Sequence, residues 1–103
     1  MLPKTYTEFE QTLSRPEPPI TWPNALRALW FEAKGDWESS HDIAQDMHNE
    51  LGSWMHAYLH RKEGDRFNAG YWYRQARRNY PEISLDAELR EMVRFVLGNN
   101  SAP

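Results

Sequence analysis

Apolar residues recur at helical spacing through most of the chain, and no segment alternates as a strand does. Leu26, Leu29, Trp30 and Ala33 fall at i, i+3, i+4 and i+7. Ala69, Trp72, Tyr73, Ala76 and Tyr80 repeat that stripe, and Leu85, Leu89, Met92, Val93, Val96 and Leu97 form a third. A short N-terminal helix carries Phe9 and Leu13 on one edge, with Thr5 or Thr7 as its cap. The pattern predicts an all-α protein of about five helices plus that short one, in a single domain over residues 1–103.

Punctuation sets the order of the helices. PEPPITWP can only be an extended connector, so residues 1–21 read as the N-terminal helix and a rigid strap that holds Ile20 and Trp22 against the body. Thr21 is the expected cap of the next helix, with Pro23 in its first turn. Gly35-Asp36 and Gly64-Asp65 each combine a helix stop with a helix start. Glycine takes the left-handed conformation cheaply, and the aspartate caps the N–H groups that follow. Such short links make neighbouring helices pack antiparallel. Residues 22–51 therefore form a first hairpin and residues 53–81 a second, ended by Pro81. Ser84 caps a last helix over 84–98, with Asp86 and Glu88 in its first turn. Gly98 ends it, and the tail after it is expected to fray.

The stretch WMHAYLHRKEGDRFNAGYWYRQARRNYP, residues 54–81, resembles one tetratricopeptide-type unit. Ala57 stands mid-way along the first helix, Gly-Asp at the turn, then Ala69, Tyr73 and Ala76, and Pro81 closes. It departs from that repeat at His56 and His60, where a large apolar residue and an aromatic are usual. An offset of 29 lays Ala28 on Ala57, Gly35 on Gly64 and Asp36 on Asp65, which makes 22–51 a weaker copy. The resemblance implies stacked antiparallel hairpins, with first helices lining a concave surface. The chain also resembles a group of short uncharacterised bacterial and fungal proteins that share a segment like HAYLHRKEGDRFNAGYWYRQA, which brings no established activity.

Charge and composition then narrow the function. The net charge of −3 conceals a segregation: residues 54–80 hold six basic and two acidic side chains, and residues 1–53 four basic and nine acidic. On the concave side of the second hairpin, Trp54, Tyr58, Arg61 and Lys62 fall at i, i+4, i+7 and i+8. That face is aromatic and cationic, and suits an acidic peptide or a C-terminal carboxylate on a protein partner. The expectation is a small non-enzymatic interaction module; a homodimer through the same rings is a further reading. Single-stranded nucleic acid could stack there, but an acidic chain argues against it. The alternative class is a metal-binding, hydrolytic protein: His56 and His60 are i, i+4, and His41 could face them to hold a divalent ion such as Zn. HAYLH lacks the glutamate of the zinc-protease motif, and no phosphate-binding or dinucleotide glycine pattern occurs. No cysteine and no long apolar run are present, so a soluble cytoplasmic protein without a membrane span is expected.

Overall fold

The computed structural model describes residues 2–101, and all regular structure among them is helical. Six α-helices follow in order: α1 (Tyr6–Gln11), α2 (Asn24–Ala33), α3 (Trp37–Ala44), α4 (Glu50–Lys62), α5 (Arg66–Gln75) and α6 (Leu85–Ser101). A turn of 3-10 helix, Thr12–Ser14, extends α1.

Both Gly-Asp corners do what their chemistry dictates. Gly35 and Gly64 each sit at φ +85°. In each, the glycine N–H and the aspartate N–H reach back to the last turn: Gly35 to Glu32 and Asp36 to Phe31, Gly64 to Arg61 and Asp65 to His60. This double bond pattern satisfies carbonyls that a helix end leaves orphaned. Asp36 then accepts from the Ser39 N–H at 3.1 Å, and Asp65 from the Asn68 N–H at 3.1 Å. These bonds hold both carboxyls below the usual aspartate range, the Ser39 backbone bond foremost for Asp36 and the Asn68 side-chain bond foremost for Asp65. The corners differ by only a few degrees in the aspartate backbone, φ −95°, ψ 79° against φ −91°, ψ 78°. Thr5 and Ser84 cap α1 and α6 through Glu8 N–H and Ala87 N–H.

Four element ends differ from the sequence expectation. Pro23, not Thr21, is the N-cap residue of α2, and its carbonyl takes the Arg27 N–H. The second helix of the first hairpin stops at Ala44, and Asn49 starts α4 by accepting the Gly52 N–H at 2.7 Å, so residues 50 and 51 belong to the second hairpin. α5 ends at Gln75, before Pro81. Arg77 takes the left-handed conformation, φ 59°, and Arg77 and Arg78 close the same bond pattern as the glycine corners. Tyr80 therefore lies in the link, its ring against Tyr73 at 5.1 Å, instead of on α5. Finally, α6 runs through Gly98 to Ser101; residues 102 and 103 of the expected fraying tail lie outside the described residues. A helical glycine costs only about 1 kcal/mol, too little to end a helix whose apolar stripe is docked.

The hairpins α2/α3 and α4/α5 are each closely packed, and α3 joins them by lying on α4. Ala28 and Ala44 on the first pair and Ala57 and Ala69 on the second are fully buried, which lets the backbones approach. α6 lies across α2 and α4, the first helix of each pair, with Met92, Val93 and Val96 buried beneath it. α1 packs on α6. The strap buries Trp22 against Phe9, rings 6.3 Å apart, but leaves Ile20 84% exposed, so only one of its two expected anchors is used. No helix among the described residues is long and apolar enough to cross a membrane.

Candidate functional site

The helix α6 packs on α2 and α4, and with them it covers much of the face expected to bind a partner. Trp54 and Tyr58 are each 3% exposed. Trp54 Nε1 donates to Glu88 Oε2 at 3.0 Å, and Arg61 Nη1 donates to Glu88 Oε1 at 2.7 Å. Tyr73, from α5, donates its hydroxyl to Glu88 Oε2 at 2.6 Å. Arg61 also reaches the Ile83 carbonyl. Lys62 pairs with Glu32, a buried carboxylate of α2. Trp54 and Tyr58 are thus part of the core and Arg61 is largely covered, while Lys62 stays exposed with its ammonium on the buried Glu32 carboxylate.

Electrostatics follow from that closure. Burial, with Glu32 and Glu88 close by, pushes the Tyr58 hydroxyl well above the ordinary phenol range, and burial with the Glu88 bond does the same for Tyr73. Burial alone would disfavour the Arg61 charge, but the Glu88 hydrogen bond and charge outweigh it and raise its pKa. Both phenols stay protonated, and that of Tyr73 donates to Glu88.

The histidines come together as expected, but as a ladder of rings. Trp37 stacks on His41 at 4.7 Å, His41 meets His56 edge-on at 5.2 Å, and His56 stacks on Trp72 at 4.4 Å. His60 lies 5.9 Å from His56, with its Nδ1 3.3 Å from Glu63 Oε1 and 4.0 Å from Asp65 Oδ2. The ladder ties α3, α4 and α5 together. Among the described residues no three His, Asp or Glu side chains are arranged to hold a metal ion. Burial, then the neighbouring His41 and His60, lower the His56 pKa below 6.5. A base whose pKa is depressed by folding stabilises the fold above its unfolded value and loses that contribution as pH falls. Thermal midpoints measured between about pH 7 and pH 5 should therefore fall, and His56→Phe should flatten that slope. An unchanged slope would show that the ladder is not the titrating element.

A second aromatic and basic face lies on the outside of α5. Ala69, Tyr73 and Ala76 turn inward, which leaves Arg66, Phe67, Gly70 and Arg74 outward. With Arg78 and Tyr80 they line an open concavity of about 600 Å³. Phe67 is 83% exposed. The Arg66 guanidinium sits 4.1 Å over the Tyr80 ring, and that of Arg78 sits 3.4 Å over Trp54. Among the described residues no carboxylate lies within 4.0 Å of Arg66, Arg74 or Arg78, and none of the three guanidiniums donates a hydrogen bond to the protein. The sequence held the signal for this face. Once the stripe of α5 points inward, Arg66, Gly70 and Arg74 at i, i+4 and i+8 must share the opposite side. Comparison with protein-family models, curated proteins and solved structures finds no match to this chain.

Proposed function

We propose that the chain is a small non-enzymatic interaction module, and that it takes an acidic partner protein or peptide on the outward face of α5. The carrying observation is that three exposed arginines, Arg66, Arg74 and Arg78, line one concavity with no carboxylate of the described residues within 4.0 Å of them. Elsewhere the two buried carboxylates are each paired with a cation, Glu88 with Arg61 and Glu32 with Lys62. Phe67 and Tyr80 add apolar contact area beside the charges, the usual composition of a recognition surface. A symmetric dimer through this face would set arginines against arginines, which favours an acidic partner over a second copy. The hairpin pair is read as tetratricopeptide-type with its inner groove filled by α6, so that the outer helix serves instead. A chain with no cysteine suits a reducing cytoplasm.

A fluorescein-labelled glutamate-rich peptide tests the reading by anisotropy. Arg66→Glu with Arg74→Glu should weaken capture at least about tenfold, a change of about 1.4 kcal/mol or more, and leave the far-ultraviolet circular dichroism unchanged. Capture by the wild type should also weaken with added salt. Equal binding by the double variant, or none by the wild type, would overturn the assignment.

A further inference from the structure

Three features of the α5 concavity bear on what it can bind. The first is that Arg66 and Arg78 are held by ring stacking, which engages the flat face of a guanidinium and leaves the N–H rim unused. Arginines fixed in this way lose less freedom when they meet an oxyanion. The second is Gly70. It lies inside α5, where glycine costs about 1 kcal/mol relative to alanine, yet it has no positive φ. A Cβ there would meet only Arg74 Nη1, at an ordinary 3.5 Å. Neither backbone nor packing requires a glycine; what it supplies is a bare floor between Arg66 and Arg74. The third is the charge: Arg66, Arg74 and Arg78 all line the concavity, and no carboxylate of the described residues lies within 4.0 Å of them.

A single carboxylate would leave most of that charge uncompensated. A phosphate monoester carries about −1.5 to −2 at pH 7 and three strong acceptor oxygens. We infer that the acidic group recognised at Arg66, Gly70, Arg74 and Arg78 is a phosphate monoester borne by the partner, seated over Gly70 with the guanidinium rims around it. This inference rests on the proposed docking face and specifies the chemistry that face reads. Phe67 and Tyr80 then receive the carbon skeleton next to the ester.

The probes are phenyl phosphate, inorganic phosphate and benzoate, titrated into the full chain while the arginine Nε–H resonances are followed by NMR. Phenyl phosphate should shift Arg66, Arg74 and Arg78 saturably, at least about tenfold more tightly than benzoate and more tightly than inorganic phosphate. Its binding should strengthen as pH rises through about 6, where the ester takes its second charge. Gly70→Leu should block it; leucine is the better helix former, so the fold is retained. Arg74→Gln should weaken it by a smaller factor. Equal affinity for benzoate, unchanged binding by Gly70→Leu, or inorganic phosphate as the preferred ligand would each overturn the inference. If the glutamate-rich peptide binds through Arg66 and Arg74 while phenyl phosphate does not, the docking face stands and the phosphate assignment falls. If neither binds, both fall.

Discussion

Glu88→Ala is expected to destabilise the protein by about 4 kcal/mol, the scale for removing one partner of a buried ion pair. Glu88 is 1% exposed and accepts from Trp54, Arg61 and Tyr73. Alanine would leave an indole N–H and a phenol unsatisfied and a mostly buried guanidinium without its counter-charge. Those three donors come from α4 and α5, and the acceptor comes from α6, so the loss falls on the contact that closes the inner groove. A domain of this size is stable by only about 5–15 kcal/mol, and the thermal midpoint should drop by about 15 °C or more. Glu88→Gln keeps an acceptor of the same shape and should lose less. Urea unfolding followed by circular dichroism measures both. A loss under about 1 kcal/mol for Glu88→Ala would show that the network does not hold α6 in place. By the same reasoning, Arg61→Glu sets an acid against Glu88 and should destabilise more than Arg61→Ala. An exposed binding arginine would show no such order.

The second large effect is expected at Gly52. A Cβ on this residue would lie 2.7 Å from Met47 Cβ and closer still to the Met47 carbonyl oxygen. Backbone lies on both sides of the clash, so the turn between α3 and α4 must open. That turn is short: Asp46 and Met47 N–H bond back to Ile43 and Ala44, and Asn49 caps α4 through Gly52 itself. Gly52→Ala should cost about 3 kcal/mol, the upper range for forcing atoms into a close-packed site. Gly98→Ala is the internal comparison. No atom of the described side chains lies within 4 Å of a Cβ there, and a helical glycine replaced by alanine gains about 0.5–1 kcal/mol. Urea midpoints moving in opposite directions support the reading; a Gly52→Ala as stable as the parent would refute it.

How far the chain was legible before folding depends on the range of the interaction concerned. The Gly35-Asp36 and Gly64-Asp65 corners, the Thr5 and Ser84 caps and the helical stripes apart from Tyr80 read correctly, because each depends on atoms within one turn of the residue named. Some misses are local, as at the end of α5, and others lie where a longer-range contact competes. Arg77 took the left-handed place that a glycine would ordinarily hold, and α5 ended before Pro81 could act. Gly98 did not stop α6, because the docked stripe of Met92, Val93 and Val96 outweighs one glycine. Gly52 lies next to a helix start like an ordinary permissive glycine, and only the path of residues 44–49 shows why it cannot be larger.

By itself the amino-acid sequence determined that this chain is a set of antiparallel helix pairs, where each pair turns, and that basic charge gathers on the second. Capping, left-handed glycine and helical periodicity are local, and they act before any tertiary contact exists. Only the tertiary structure decided which side of that second pair meets solvent. Trp54, Tyr58, Arg61 and Lys62 form an amphipathic strip that is equally able to receive a partner or another part of the same chain. α6 took it, because Glu88 and the apolar stripe of α6 were already tethered beside it and burying both satisfied Arg61, while Lys62 pairs with Glu32 of α2. The outer side of α5, with Arg66, Phe67, Gly70 and Arg74, was left over by that choice, since no described segment brings a carboxylate to neutralise it.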